Sequence, residues 1–185
     1  MTHSYTHGAS AQPLLADTIG HAFDAVADRF GDKEALVSVF EGRRFTYAQL
    51  RDEVDRCARA LLALGVGKGD RVGIWSTNCS TWVIVQFATA KLGAVLVNLN
   101  PAYRRQELGF ALRQSECNYL LSGERFKDAD YAQMLNELIP ELAGADAGAD
   151  LHAEAFPHLR RILWLGESAP KAGLLDWSTL LALAE

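Results

Sequence analysis

The stretch RVGIWSTNCSTWVIVQFATAKLGAVLVNLNPAY, residues 71–103, decides the fold. It contains an apolar run at 72–75, a polar turn at 76–81, an apolar helical segment at 82–92 and a second apolar run at 94–99. This order predicts a βαβ unit whose two parallel strands are buried on both faces. A right-handed connection brings the turns after both strands to one carboxyl edge of the sheet. Ligands of open α/β sheets bind at that edge, so we expect the functional site there.

The residues before this unit predict a helix and a β-hairpin. Asp17 and Thr18 can cap a helix that ends at Gly31. A short hairpin is expected between residues 35 and 47, with Glu41–Gly42 at its turn. The apolar face of the helix is predicted from helical spacing to consist of Ile19, Ala22, Phe23, Val26 and Phe30.

A second helix is predicted after the hairpin. Thr46 and Gln49 match a capping box at its start, and the glycine-rich run at 65–70 ends it. This run follows a helix and precedes a strand, which is the wrong context for a dinucleotide fingerprint. Lys68 is followed by glycine, which excludes a Walker loop. The predicted buried stripe of the helix is Leu50, Val54, Cys57, Ala58, Leu61 and Leu62.

Helical and strand patterns continue to alternate after residue 103. The predicted fold class is therefore α/β, with a largely parallel sheet, helices on both faces and a short N-terminal β-hairpin. The further predicted elements are helices over 104–115, 129–142 and Trp177–Ala184, the last started by Asp176 or Ser178, and strands over 119–121 and 159–165. Four segments are expected, namely a flexible arm at 1–16, an α/β subdomain at 17–142, an Ala/Gly/Asp-rich loop at 143–158, and a last strand and helix at 159–185.

The composition is that of an ordinary globular chain, with 49% apolar and 22% charged residues among 185. A net charge of −5 argues against nucleic acid or an anionic membrane surface as a partner. Three scattered cysteines without CxxC spacing indicate reduced thiols and no metal site. Neither a signal or transit peptide nor an apolar run of about 18 residues is evident. A cytoplasmic location is therefore expected.

Few residues in this pattern point to a particular chemistry. The hydroxyls of the 76–81 turn could cap the following helix, contact a phosphate, or do both. Cys79 lacks a nearby histidine in sequence, which disfavours it as a nucleophile. Tyr103, Arg104 and Arg105 suit a phosphate or a carboxylate, although a solvated helix start that pairs with Glu107 is the simpler interpretation. His3 and His7 could in principle bind a metal, but they lie in the Ser/Thr/Gly-rich arm.

A series of short motifs, taken together, resembles the amino-terminal part of the adenylate-forming (AMP-binding) enzymes. The resemblance is strongest to the acyl-CoA synthetases of medium- to long-chain fatty acids. It rests on the order and spacing of the motifs rather than on any one of them. They are FTYAQL at 45–50, LGV at 64–66, GDRV at 69–72, Asn78, KLGAV at 91–95, NLNPAYR at 98–104, and Glu107–Leu108.

The resemblance implies a reaction and a set of substrates. Such enzymes join a fatty acid to ATP, release pyrophosphate, and pass the acyl group to the thiol of coenzyme A, while Mg²⁺ screens the phosphates. The family's Ser/Thr/Gly-rich phosphate loop and its catalytic lysine belong further along, and no matching run is present here. The chain is thus expected to be the incomplete N-terminal part of the ligase fold. It is expected to be inactive alone, without catalytic residues or a bound cofactor of its own.

The resemblance also places Tyr103 and Arg104, with Arg105 as a lesser candidate, near the entry of coenzyme A. Two other functions remain open. One is a non-catalytic module that binds a nucleotide or coenzyme A at the same edge. The other is an interaction fragment that associates with a full-length ligase through an exposed apolar face.

Overall fold

The computed structural model describes Gly8 and residues 15–184. Strands and helices alternate through this part of the chain. They are α1 Ile19–Phe30, β1 Glu34–Ser38, β2 Arg43–Thr46, α2 Tyr47–Ala63, β3 Arg71–Trp75, α3 Ser80–Leu92, β4 Val95–Leu99, α4 Arg105–Ser115, β5 Tyr119–Ser122, β6 Arg125–Phe126, β7 Ala129–Asp130, α5 Tyr131–Leu138, a 3₁₀ helix Pro140–Gly144, β8 Arg161–Trp164, β9 Leu174–Asp176 and α6 Trp177–Ala182.

A five-stranded parallel sheet in the order β4-β3-β5-β8-β9 forms the centre of the fold. The predicted βαβ unit is β3-α3-β4, and the predicted hairpin is the antiparallel pair β1-β2. The α/β class is therefore confirmed. The fifth strand, β9, was not predicted because three residues are too few to show a strand period.

Helices cover both faces of the sheet. Val72 and Ile74 of β3 pack into a cluster with α1, α2, α3 and α6. Trp75, the next residue on the strand, packs into a second cluster with α4, α5 and the 3₁₀ helix. Successive residues of a strand point to opposite faces, so the two clusters lie on opposite sides of the sheet.

Strand β4 differs from its prediction. It is an edge strand, and Val95 is 50% exposed. The expectation of burial on both faces is confirmed for β3, whose last four residues are buried, and is wrong for β4. An apolar run of five residues does not show whether a strand is central or lies at an edge.

Helix α1 is rotated relative to its predicted apolar face. Gly20, Phe23 and Ala27 are its buried residues, whereas Ile19, Val26 and Phe30 are exposed. A Cβ on Gly20 would lie 3.0 Å from Cγ of Lys91, and Phe23 stacks on Phe87 with the ring centroids 4.3 Å apart. The close approach of α1 to α3 at a glycine sets this rotation. In α2, the predicted stripe is confirmed except for Leu62, which is also exposed.

Lys91 links three helices. Its Nζ lies 2.5 Å from Oδ1 of Asp24 on α1 and 2.6 Å from Oδ1 of Asp55 on α2. Partial burial acts to lower the pKa of Lys91, but the hydrogen bonds to the two carboxylates outweigh it and raise this pKa. The charged ammonium therefore holds α1 and α2 against α3.

The segment predicted as one helix over 129–142 consists of three elements. Ala129–Asp130 is a strand that pairs with Arg125–Phe126, and the helix begins only at Tyr131. Oδ1 of Asp130 caps this helix by accepting a hydrogen bond from the N–H of Gln133 at 2.8 Å. After Leu138 the chain continues as the 3₁₀ helix, which has Pro140 at its start.

Part of the predicted arm at 1–16, including His3 and His7, lies outside the described residues, so its flexibility and any metal binding there stay predictions. The four proposed segment boundaries also stay predictions. None of the helices formed by the described residues has both the length and the apolar character needed to cross a bilayer.

Candidate functional site

The turns that follow β3 and β4, where the functional site is expected, lie at the carboxyl edge of the sheet. Trp75 at the end of β3 is in register with Leu99 of β4 and with Ser122 of β5. The turns that follow these three strands therefore lie at one edge, as predicted. β3 lies between β4 and β5, and this reversal of strand order marks the usual ligand position in open α/β sheets.

The amino terminus of α3 at this edge is already occupied by a carboxylate of the chain. Glu41, from the turn of the β1-β2 hairpin, accepts a hydrogen bond from the N–H of Ser80 at 2.7 Å and one from the Ser80 hydroxyl at 3.1 Å. Nη1 of Arg43 donates to the same hydroxyl at 2.9 Å. The N-cap residue Cys79 makes no side-chain capping bond. Of the alternatives left open for the hydroxyls of the 76–81 turn, capping of α3 is not observed at Cys79, and Glu41 contacts the start of the helix instead.

The environment of Glu41 favours its charged form. Partial burial acts to raise the pKa of Glu41, but hydrogen bonds from the Ser38 hydroxyl and from Ser80 outweigh it, so this pKa lies below its ordinary value of 4.5. A negative charge at the start of a helix also interacts favourably with the helix dipole. Glu41 therefore fastens the hairpin to α3 most strongly in its ionised state.

We expect Glu41→Gln to lower the free energy of unfolding by about 0.3–1 kcal/mol at pH 7, because it removes the charge at the start of α3. A carboxylate with a lowered native pKa stabilises the fold above its unfolded pKa, and this contribution is lost as the pH falls through the native pKa. The difference between the two proteins should therefore shrink as the pH falls below about 4.5. Urea unfolding at a series of pH values measures it.

The control for this experiment is Glu34→Gln, which removes a carboxylate from the same hairpin but leaves the Glu41–Ser80 contact in place. A difference between wild type and Glu41→Gln that stays constant down to pH 3 would contradict the assigned role of Glu41.

The segment with Tyr103, Arg104 and Arg105 follows a tight turn after β4. Oδ1 of Asn100 accepts a hydrogen bond from the N–H of Ala102 at 2.9 Å, and its main-chain carbonyl accepts one from the N–H of Tyr103 at 3.0 Å. Arg105 then begins α4. The turn brings all three candidate side chains to the carboxyl edge of the sheet.

Both guanidinium groups are exposed and are paired with carboxylates. Nη2 of Arg104 lies 2.8 Å from Oδ1 of Asp128, and Nη1 of Arg105 lies 3.3 Å from Oε2 of Glu137. The hydrogen bond from Arg104 lowers the pKa of Asp128. Glu107, the expected partner of the arginines, instead accepts a hydrogen bond from the main-chain N–H of Arg104 at 3.1 Å. Exposed ion pairs of this kind contribute little to stability.

An open groove of about 600 Å³ lies between β4 and α4, beside these residues. Tyr103 forms part of its wall, and Phe110, which is 64% exposed, forms another part. Most of the wall is apolar, and three side-chain amides are among its lining residues. The remaining lining residues are Val97, Asn98, Leu99, Gln106, Glu107, Ala111, Gln114 and Ser115.

Two of the three cysteines, Cys57 and Cys117, are buried. Burial raises the pKa of Cys57 to about 12 and that of Cys117 to about 11, so both thiols stay protonated. Cys57 is a core residue, as the sequence predicted. Within residues 15–184 and Gly8, no group of three or more His, Cys, Asp or Glu side chains could hold a metal ion.

Sequence reasoning missed four residues that shape this edge, namely Glu41, Trp75, Asp128 and Tyr131. Glu41 was placed in a turn, and Tyr131 falls within the helix predicted over 129–142. Their partners lie 24 to 39 positions away in the chain. No local pattern marks contacts at that separation.

The fold is thus a parallel α/β sheet covered by helices on both faces, with the candidate site at the carboxyl ends of its strands. The profile of the family described as AMP-binding enzyme matches residues 23–180. The chain belongs to this family. Its fold is the N-terminal part of the adenylate-forming ligase fold, as the solved structures described below also show.

Curated relatives extend this result. The chain is 40% identical over 175 residues to the medium-chain acyl-CoA ligase ACSF2, mitochondrial, of Danio rerio, covering 95% of the chain and 29% of that protein. It is 38% identical over 173 residues to the human protein of the same name, covering 94% of the chain and 28% of the relative. The chain thus spans less than a third of the length of these relatives.

Solved structures agree with the fold. The N-terminal domain of FACL13 from Mycobacterium tuberculosis has a TM-score of 0.66 at 26% identity, and the match covers 91% of this chain and 36% of that one. The anthranilate CoA ligase AuaEII, solved with anthranoyl-AMP, has a TM-score of 0.69 at 23% identity, with 90% and 28% covered. At this identity the second likeness concerns the fold alone.

Proposed function

We propose that this chain is the N-terminal part of an ATP-dependent fatty acid–CoA ligase. The complete enzyme would form an acyl-adenylate from a fatty acid and ATP, and then transfer the acyl group to coenzyme A. The observation that carries the proposal is the 40% identity, over 95% of the chain, to a medium-chain acyl-CoA ligase. Fatty acid, ATP, Mg²⁺ and coenzyme A are the substrates and cofactors of this proposed whole enzyme.

Within that enzyme, we assign Tyr103, Arg104 and Arg105 to the binding of coenzyme A. The two exposed guanidinium groups suit the phosphates of this ligand, because arginine can bind a phosphate through two parallel hydrogen bonds. The groove beside Tyr103 has a largely apolar wall that includes three side-chain amides, which suits a chain that contains both methylene and amide groups. Coenzyme A combines these two chemistries.

We propose that the chain does not catalyse adenylation alone. The described site contains exposed arginines but no group placed to activate a carboxylate, and the sequence has no Ser/Thr/Gly-rich phosphate loop. A cytoplasmic location stays a prediction. The ACSF2 relatives are named as mitochondrial, and this name describes those proteins.

The expected result for the isolated chain is binding of coenzyme A without ATP–pyrophosphate exchange. In equilibrium dialysis with coenzyme A, the double change Arg104→Ala and Arg105→Ala should weaken binding about tenfold or more, because charge-assisted hydrogen bonds to phosphate are lost. Arg44→Ala is the matched control, since Arg44 is also an exposed arginine paired with a carboxylate but lies on the hairpin.

Two outcomes would contradict the proposal. Equal affinity of the double variant and the wild type for coenzyme A would remove the site assignment. Measurable exchange of pyrophosphate into ATP in the presence of a medium-chain fatty acid would show that the chain is a catalyst by itself.

A second candidate function is association with another protein through an apolar face. It is favoured by the exposure of Val95 on the edge strand and of Phe110 on α4, which lie on the same side of the sheet as the groove. A dye that binds apolar surface tests for a self-sufficient binding module, because such a module should give a weak signal. A strong signal favours the ligase segment or the interaction fragment. Co-purification with a full-length ligase would identify the interaction fragment.

A further inference from the structure

Two buried aromatic residues hold the turn that precedes the candidate site. Nε1 of Trp75 donates a hydrogen bond to the main-chain carbonyl of Asn100 at 3.1 Å. The hydroxyl of Tyr131 donates to the carbonyl of Pro101, the next residue, at 2.6 Å. Both rings are fully buried. We call Trp75 and Tyr131 the aromatic clamp, because their two donors bind consecutive carbonyls of one turn.

The two members of the aromatic clamp support each other. Their rings stack with centroids 3.6 Å apart and an angle of 11° between the planes. Trp75 ends β3, and Tyr131 begins α5, so the stack joins the sheet to a helix that covers it. Burial raises the pKa of Tyr131 to about 12, and the hydroxyl therefore keeps the proton that it donates.

The turn held by the aromatic clamp leads directly into the candidate site. The Asn100 carbonyl that accepts from Trp75 also accepts from the N–H of Tyr103. Asp128, three residues before Tyr131, is the partner of Arg104. The segment is thus fixed from inside by the two rings and from outside by an exposed ion pair.

We propose that Trp75 and Tyr131 are positioning residues that hold residues 100–105 in the conformation that binds coenzyme A. This inference rests on the proposed function, because that function makes Tyr103–Arg105 a binding segment. Neither Trp75 nor Tyr131 lines the groove, so both act through the turn. A segment that is already ordered loses less conformational entropy when it binds, and this raises its affinity.

Core packing alone does not require this arrangement. A buried aromatic ring can fill its volume without directing a donor at a loop, whereas here both donors meet adjacent carbonyls of one turn. Loss of either donor removes one hydrogen bond to the turn, so each donor biases the turn towards the observed conformation.

The test compares two conservative variants with two matched controls. Tyr131→Phe and Trp75→Phe keep an aromatic ring and remove the donor. Tyr119→Phe removes the hydroxyl of another buried tyrosine, whose partner is Arg160. Trp164→Phe removes the donor of another buried tryptophan, whose Nε1 binds the carbonyl of Ser168 at 2.8 Å. Like Trp75, Trp164 is the last residue of a parallel strand.

Two properties of the full 185-residue chain are measured under conditions in which every variant is folded. The first is hydrogen exchange at the amides of Ala102 and Tyr103, and the second is the Kd for coenzyme A. Loss of one hydrogen bond should raise both by roughly fivefold in Tyr131→Phe and in Trp75→Phe. The control variants should change neither property, even where their overall destabilisation equals that of the two test variants.

The outcomes separate this proposal from the proposed function. Unchanged exchange at Ala102 and Tyr103 in Tyr131→Phe, or an equal rise in Tyr119→Phe, would overturn the positioning role. Faster exchange with an unaltered Kd would also overturn it, while leaving the coenzyme A site intact. Failure of the wild type to bind coenzyme A would instead overturn the proposed site, and the positioning role would fall with it even if exchange rises selectively.

Discussion

Replacing Leu61 by alanine is expected to lower the free energy of unfolding by about 2–5 kcal/mol, because it leaves a cavity in the core. The same change at Leu62 should cost less than about 1 kcal/mol. Leu61 is fully buried in α2, whereas its neighbour Leu62 is 59% exposed. Successive residues of a helix point about 100° apart, so the two positions share a helix but not an environment.

Urea unfolding of both variants measures this difference. The two changes have the same effect on helix propensity, so their difference isolates the contribution of burial. Comparable losses from Leu61→Ala and Leu62→Ala would show that α2 packs with a different face towards the sheet. This would also contradict the position of Cys57 in the core.

Gly173→Ala is expected to cost about 2–5 kcal/mol, the sum of two separate effects. Gly173 has φ = +74°, and a left-handed conformation costs an L-residue about 1–2 kcal/mol. A Cβ at this position would also lie 2.8 Å from the carbonyl oxygen of Leu142, and such overpacking adds about 1–3 kcal/mol. The loss in free energy of unfolding should therefore exceed the loss caused by Gly→Ala at a position that has only the backbone constraint.

Gly42→Ala provides that comparison. Gly42 has φ = +65°, and nothing lies within 4 Å of a Cβ built there. It should therefore show the backbone cost alone, about 1–2 kcal/mol in thermal or urea unfolding. Equal losses in the two variants would mean that the 3₁₀ helix moves away from residue 173 at no cost, and that the contact before β9 is not rigid.

The parts of the fold that could be predicted are those specified by neighbouring residues. Thr46 and Gln49 form the predicted capping box, with both reciprocal hydrogen bonds present. Gly65 and Gly69 have positive φ in the turn that was predicted after α2. The β3-α3-β4 unit follows from a change of hydrophobic period within 30 residues.

The parts that could not be predicted depend on contacts between distant residues. The position of β4 at the sheet edge depends on which strands exist elsewhere, and the sequence of β4 does not contain that information. Helix α1 offers apolar residues around much of its circumference, and the fit of Gly20 against Lys91 selects the buried side. Strands β6, β7 and β9 have only two or three residues each, too few for a period.

The candidate site shows the same division. Tyr103, Arg104 and Arg105 were found from their place after a strand and from the family resemblance, and their role in binding coenzyme A stays a proposal. Their ionic partners Asp128 and Glu137 could not be found in this way. An ion pair across 24 or 32 residues has no local sequence pattern, and the charged residues themselves are common on any surface.

The uncovered edge strand has a consequence for the colloidal behaviour of the protein. The residues of β4, VLVNL, include neither a charge nor a proline, the features that commonly keep an edge strand from pairing with another chain. The net charge of −5 makes copies of the chain repel one another, but salt screens this repulsion over about 10 Å at 0.1 M and leaves main-chain pairing intact. Attraction and repulsion between copies thus depend differently on ionic strength, and added salt shifts the balance towards self-association along one side of the sheet.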